Sequence, residues 1–312
     1  MAATAVGLAL GWLADQLFGD PRRFHPVAGF GRLATALEHR AYADARTSGV
    51  AHVAVLVTGA AGLGVLLDRV SGRRPLVRVG LTAAATWAVL GGRSLLREVD
   101  VLQSMLVDED LDAARTRIRH LVGRDASELG VDELARACVE SVAENTSDAV
   151  VAPLFWGAVA GLPGLLAYRA VNTLDAMIGH RTERYLSFGW AAARLDDVAN
   201  AVPARIAAGL TALAAPVVSG SPAAAIRTVV ADSDHHPSPN AGVAEAAFAG
   251  AMNVRLGGTN RYHGSAEDRG RLGSGPPVSV ADIPRARRLA WYVMAGGLAV
   301  AVAIRTLGPR RP

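Results

Sequence analysis

Apolar residues gather in six blocks along the chain, at residues 2–13, 50–67, 79–96, 149–168, 206–218 and 289–304. A helix needs about 18 to 20 such residues to cross a bilayer core. The block 149–168 meets that length without one charged side chain. The first and last blocks are short and Arg93 interrupts the third, so four to six membrane-inserted helices are predicted. The first block lacks a basic leader and a small-residue cleavage site, and Asp15 and Asp20 follow it closely. It is therefore expected to be no cleaved signal peptide. Between the blocks, residues 97–143 read as soluble helices. Leu111, Ala114, Ile118 and Leu121 recur at helical spacing behind Asp110, Gly123 ends that run, and Asp132 can cap the next. A further helix is expected near residues 30–42, after a proline-punctuated loop at 19–27.

Residues 219–288 are rich in Pro, Gly, Ser, Asn and His. Two prolines bracket Ser238 and exclude regular pairing there. Residues 257–264 read as a second loop and 270–279 as a mobile linker. Strand signals are few. The pattern predicts an all-α polytopic membrane protein with amphipathic helices and long Pro/Gly-rich loops. It forms one membrane-embedded domain over residues 1–312, with a soluble helical insertion at 97–143 and a loop-rich cover at 219–288.

Composition supports this: 51% of the 312 residues are hydrophobic and 19% charged, with a mean hydropathy of +0.26, high for a soluble domain. All 32 Lys+Arg residues are Arg. Without Lys there is no Schiff base and no internal aldimine with pyridoxal phosphate, and no Walker A lysine. The single Cys138 allows no intramolecular disulfide, and no Cys/His set has zinc-ligand spacing. The net charge of +4 suits arginines beside anionic lipid; no aromatic-interleaved basic patch points to nucleic acid. Arginines flank both ends of most apolar blocks, so charge sets no orientation.

Three polar groupings surround the block 149–168. Glu140, Glu144 and Asp148 fall at i, i+4 and i+8, one helical face that is either solvated or neutralised by a cation. The pattern Asn-Thr-x-Asp occurs at Asn145–Asp148 and again at Asn172–Asp175, and such an amide–carboxylate pair can offer two oxygens to Mg²⁺. Arg194, Asp197 and Asn200 lie on adjacent turns, where a surface Arg194–Asp197 ion pair is the simpler reading. His25, His180, His235, His236 and His263 are scattered and read as structural. A straight helix would hold the two Asn-Thr-x-Asp motifs a membrane apart. Pro163-Gly164 is the expected break, making a re-entrant hairpin, which is tolerated at membrane depth only where protein or water covers it.

Several motifs occur in a recognisable order. Gly19-Asp20-Pro21 is followed by His25-Pro26-Val27, Gly31-Arg32 and Leu121-Val122-Gly123-Arg124-Asp125. Next come Glu144-Asn145-Thr146 with Asp148, then Ala152-Pro153-Leu154-Phe155. The run Tyr168-Arg169-Ala170-Val171-Asn172-Thr173-Leu174-Asp175 precedes Gly189, Ala193-Arg194-Leu195-Asp196-Asp197 and Pro203-Ala204-Arg205. Ser238-Pro239-Asn240-Ala241-Gly242, Arg255-Leu256-Gly257-Gly258 and Tyr262-His263-Gly264 complete the set. In these residues the chain resembles the CobD/CbiB family of cobalamin biosynthesis, the adenosylcobinamide-phosphate synthases, from residue 10 to residue 264. Ala149 stands where Gly is common in that family, His180 where Tyr is, and Val243-Ala244 where a bulkier pair is. CobD also names a pyridoxal-phosphate decarboxylase, which a chain without Lys cannot be.

The resemblance implies an ATP-dependent ligase at the cell membrane, multi-pass, with its site facing the cytoplasm. It joins the propionate carboxylate of adenosylcobyric acid, a corrinoid, to (R)-1-aminopropan-2-ol or its O-phosphate, giving adenosylcobinamide or its phosphate. Other enzymes of the pathway are implied partners. A carboxylate is not electrophilic, so activation as an acyl phosphate is expected, with Mg²⁺ and cationic donors around the transferred phosphoryl group. The resemblance identifies motifs and assigns no tasks; by their chemistry, the sequence offers Glu144, Asp148 and Asp197 for catalysis and Asp148, Asp175, Asp196 and Asp197 for Mg²⁺. It offers Arg194 and Arg255 for phosphate, and Asn145, Asn172 and Asn240 as orienting amides. Gly257 and Gly258 are candidates for backbone N–H contacts to phosphate. A Mg²⁺-dependent membrane prenyltransferase also uses Asn/Asp-rich helices, and a corrinoid transporter or carrier would place polar groups in its path; these are the two alternatives.

Overall fold

The computed structural model describes residues 2–21, 25–123, 125–262 and 265–307. Residues 22–24 of the expected loop at 19–27, and residues 124 and 263–264 of the quoted motifs, lie outside the described residues. In chain order the helices are α1 (Ala2–Phe18), α2 (Pro26–Ala41), α3 (Arg46–Ser71), α4 (Pro75–Val89), α5 (Gly92–Val107), α6 (Leu111–Arg117) and α7 (Val131–Thr146). A π-helical turn (Ser147–Val151) leads into α8 (Ala152–Ile178). They are followed by α9 (Trp190–Ala214), α10 (Pro222–Asp232) and α11 (Ala241–Met252), a hairpin of β1 (Leu256–Tyr262) and β2 (Ser265–Leu272), and α12 (Ile283–Leu307). Five stretches are long and apolar enough to cross a membrane: Arg46–Ser71, Pro75–Val107, Val131–Ile178, Trp190–Val218 and Val280–Leu307. The chain is an all-α polytopic membrane protein with one added hairpin.

The chain forms two compact units, one of Met1–Arg93, Asp148–Asn200 and Gly297–Pro312, the other of Ser94–Ser147 and Ala201–Gly296. In the first unit α1 lies against α4. A Cβ at Gly7 or Gly11 would come within 2.5 Å of Thr82 or 2.4 Å of Thr86, so only glycine permits this backbone approach, a packing mode common between membrane helices. His25 opens α2, its Nδ1 accepting from Val27 N–H at 3.2 Å, and Pro26 occupies the first turn, where no N–H is needed.

The decisive feature of this unit is a reversal inside α8. Gly161 adopts φ 69°, ψ −153°, a conformation that costs an L-residue its Cβ clearance and costs glycine nothing. Ala152 on the first arm packs with Tyr168 and Val171 on the second, and a Cβ on Gly157 would sit 3.6 Å from Leu165. The apolar block is thus a helical hairpin. Its break falls at Gly161 rather than at Pro163-Gly164, because Pro163 sits in the first turn of the second arm and needs no hydrogen bond there.

In the second unit Asp110 caps α6, accepting from Ala113 N–H at 3.1 Å. The cap of α7 differs from expectation: Glu133 reaches back to Gly130 N–H at 2.9 Å, where the sequence pointed to Asp132. Residues 219–288 are more regular than their composition suggests, containing α10, α11 and the hairpin. Gly257, Gly258 and Gly270 have positive φ of 78°, 91° and 69°. They read as loop in the sequence, yet they make the register shift between Gly257 and Thr259 and the close strand approach. Residues 270–279 are no linker. Gly273 N–H donates to Asp232 Oδ2 at 2.7 Å, Arg255 N–H donates to the Pro276 carbonyl at 2.9 Å, and Leu272 and Val278 are buried.

Candidate functional site

In the first unit the α8 hairpin returns Tyr168 to the start of its own helix. The Tyr168 hydroxyl donates to Asn200 Oδ1 at 2.8 Å and lies 3.1 Å from the Asp148 carbonyl. Asn200, on the first part of α9, passes the connection on: its amide donates to Asp196 Oδ2 at 2.9 Å. Asn172 presents its amide to the same carboxylate, and Asp175 and Asp197 lie within electrostatic reach of it. Trp156 Nε1–H donates to the Ala199 carbonyl at 3.0 Å and ties the first arm of α8 to α9. Asp196 Oδ1 is buried without a hydrogen-bond partner among the described residues. Arg169 completes the group, donating from Nη1 to Asn172 Oδ1 at 3.3 Å, with Asp20 and Asp148 acting on its charge.

The first unit therefore gathers Asp148, Asn172, Asp175 and Asp196 of the expected residues around one polar focus between apolar helices, with Asp197 at its exposed edge. Arg194 stands apart from it, 66% exposed and paired with Asp197 at 3.3 Å, as a surface pair would be. Asn200 does not join Arg194 and Asp197 on one face. It is 1% exposed and turned to Tyr168 and Asp196. Tyr168 and Arg169 stand in the Tyr168–Asp175 motif, where sequence alone assigns them no role. The signal that could have found them is the reversal between them and Asp148, which periodicity alone does not reveal.

Among the described residues no three carboxylate, histidine or cysteine groups converge as a ready-made metal cage. Mg²⁺ needs none, since it keeps several waters and takes one or two carboxylates beside phosphate oxygens. Asp196, with its unspent Oδ1 and Asp175 in electrostatic reach, fits that requirement.

Glu144, Asn145, Asn240, Arg255, Gly257 and Gly258 belong to the second unit. The π-helical turn after α7 advances each residue by less than an α-helical step, so the i, i+4, i+8 face of Glu140, Glu144 and Asp148 does not continue through it. Asn145 spends its amide on Ser141, at 2.9 Å to the carbonyl and 3.1 Å to Oγ. Glu140 is buried and accepts from Arg136 at 2.9 Å and from Gly257 N–H at 2.8 Å. Arg136 also donates to the Gly257 carbonyl and to Asn260 Oδ1, the latter at 3.1 Å. The Gly257 N–H expected to cradle phosphate is thus committed to Glu140. Asn240 is buried and accepts from Arg205 at 2.8 Å. The Arg255 side chain makes no hydrogen bond or ion pair among the described residues.

A second buried network lies behind β2. Arg269 Nε–H donates to His236 Nε2 at 2.8 Å, and Glu245 stands 3.5 Å from that nitrogen. The other ring nitrogen, Nδ1, accepts from Ser238 N–H at 3.0 Å and lies 3.1 Å from the Ser238 carbonyl. Burial, then the charge of Arg269, hold its pKa down at about 4, against the pull of the Ser238 backbone and Glu140.

A family model described as CobD/Cbib protein matches residues 8–290. A protein of Mycobacterium tuberculosis named cobalamin biosynthesis protein CobD is 52% identical over 308 residues, covering 99% of this chain and 97% of its own. Proteins of the same name from Chromobacterium violaceum and Rhodobacter capsulatus are 43% and 41% identical, covering 96% and 95% of this chain and 98% and 93% of their own. No solved structure matches the chain.

Proposed function

The chain belongs to the CobD/Cbib family, and from that premise we propose that it acts in cobalamin biosynthesis as the ATP-dependent ligase of the corrinoid propionate. In this reading the carboxylate of adenosylcobyric acid is activated as an acyl phosphate. The amine of (R)-1-aminopropan-2-ol or its O-phosphate then displaces phosphate to form the amide. The observation that carries it is the carboxylate–amide focus of Asp148, Asn172, Asp175 and Asp196, joined through Asn200 and Tyr168.

Each residue has a task that its surroundings support. Asp196 and Asp175 would hold Mg²⁺, which supplies charge neutralisation to the transferred phosphoryl oxygens. Asn172 and Asn200 orient the Asp196 carboxylate, and Tyr168 fixes Asn200 by a bond shielded from water, so the group is organised before any ligand arrives. The site opens to the cytoplasm in this reading, because ATP is cytoplasmic.

Purified protein supplied with ATP, Mg²⁺, adenosylcobyric acid and either amine tests the reading. ATP hydrolysis that requires both the corrinoid and the amine, with amide product, supports it. Prenyl transfer without ATP, or corrinoid movement without either, would overturn it in favour of a prenyltransferase or a carrier.

A further inference from the structure

We propose that Arg169 is the group that receives a phosphoryl oxyanion in the first unit, and that Asn172 is its positioning residue. The inference rests on the ligase reading only for the identity of the molecule carrying that oxyanion.

A guanidinium has five N–H donors in a planar fork. Arg169 spends one of them, Nη1 on Asn172 Oδ1 at 3.3 Å, and that is its one hydrogen bond among the described residues. Its Nε is buried with no partner. Burying unspent donors is costly unless something completes them, and the neighbours of Arg169 explain its charge but not its fork. Asp20 and Asp148 lie within electrostatic reach of the guanidinium. Tyr168, one residue away, is locked to Asn200 at 2.8 Å, and Asn172, one turn on, links the guanidinium to the Asp196 carboxylate. Arg169 is therefore held in place with donors to spare beside carboxylates that suit a divalent cation.

The surrounding acids would repel a bare anion. An oxyanion that arrives with a divalent cation satisfies both halves, its oxygens on the fork and the cation on Asp196. With no Lys anywhere in the chain, arginine is the side chain that can supply a permanent cationic donor for this. Arg194 is 66% exposed and already paired; Arg169 is half-buried, with its Nε fully buried, and only partly used.

The test is equilibrium binding to the full chain in detergent or nanodiscs, with three probes: ADP with Mg²⁺, inorganic phosphate with Mg²⁺, and O-phosphoryl-1-aminopropan-2-ol. Arg169→Gln is expected to weaken at least one probe by about tenfold or more. Arg169→Lys keeps the charge but loses the fork and should remain impaired. Asn172→Ala should weaken the same probe and add little in the Arg169→Gln background. The exposed Arg40→Gln should bind as wild type does. The probe affected identifies the source of the oxyanion. Wild-type binding of every probe by folded Arg169→Gln overturns the inference, as does failure of the wild type to bind any of them. If Arg169→Gln does not fold, wild-type binding by Arg169→Lys overturns it. Arg169-dependent binding in a protein that forms no amide keeps the inference and sinks the ligase reading. Wild-type amide formation by Arg169→Gln does the reverse.

Discussion

The hydroxyl of Tyr168 and the side-chain oxygen of Asn200 meet at 2.8 Å in the buried interior of the first unit. This bond joins the returning arm of α8 to α9, and through the Asn200 amide it reaches Asp196. Removing the hydroxyl while keeping the ring leaves Asn200 Oδ1 short of a donor. Tyr168→Phe is expected to destabilise the protein by about 1–3 kcal/mol and to lower amide formation more than that loss explains. Thermal unfolding and turnover of the purified variant check both; an unchanged midpoint and rate would remove Tyr168 from the site.

The reversal at Gly161 predicts an asymmetry between neighbouring substitutions. A Cβ there would meet Arg305 at 3.3 Å and Asp68 at 3.5 Å, on a backbone with φ +69°. Gly161→Ala should cost about 1–2 kcal/mol from conformation alone. Pro163→Ala, in a first turn that needs no N–H, should cost less. Unfolding midpoints that ranked the two the other way would place the hinge at the proline.

The acids divide by environment. Asp148→Asn and Asp196→Asn keep shape and lose charge at the focus. Ligation is expected to fall by roughly a hundredfold or more, the scale on which a lost transition-state contact is felt, while insertion and purification stay normal. Asp197, partnered by exposed Arg194 at 3.3 Å, should be milder, since such a surface pair contributes about 0–1 kcal/mol. Near-normal turnover by the first two variants would take them off the site.

His236 makes stability depend on pH in a definite direction. Its pKa is held at about 4 in the folded protein, against an ordinary 6.5. Between those values the unfolded chain binds more protons than the folded one, so stability is complete above about pH 6.5 and falls with decreasing pH. The loss reaches about 3 kcal/mol by pH 4. His236→Gln should flatten this slope in unfolding midpoints taken from pH 7.5 to 5. Glu245, Glu140 and Arg269 face the ring and remain in the variant, so an equal slope in both proteins would assign the effect to them.

Deleting residues 270–279 is expected to abolish folding of the β-hairpin region. Gly273 and Pro276 each anchor a backbone hydrogen bond, and Leu272 is fully buried. Loss of membrane-inserted protein that purifies in detergent, or of protease resistance across residues 241–282, is the readout; a stable active deletion would restore the linker reading.

Length and apolar pattern alone determined the helical membrane character of this chain, because several apolar stretches of bilayer length recur along it. The need for a break within 149–168 was also legible, since two matching amide–carboxylate motifs flank it. Which residue breaks it was not. Proline is the conspicuous helix breaker in a sequence, but it is tolerated in a first turn, and the positive φ fell to Gly161. Composition misjudged residues 219–288 for a related reason. Gly257, Gly258 and Gly270 look like loop formers, whereas their freedom of φ builds a bulged hairpin whose backbone groups are taken by Glu140 and Arg136. The acids at 148, 175 and 196 could be picked out by their motifs. Tyr168, Arg169 and Asn200 gained their roles only in three dimensions, because hydrogen bonds between residues 32 positions apart leave no period in the sequence. Spacing along one helix predicts which side chains share a face, and the return of a chain on itself decides which faces meet.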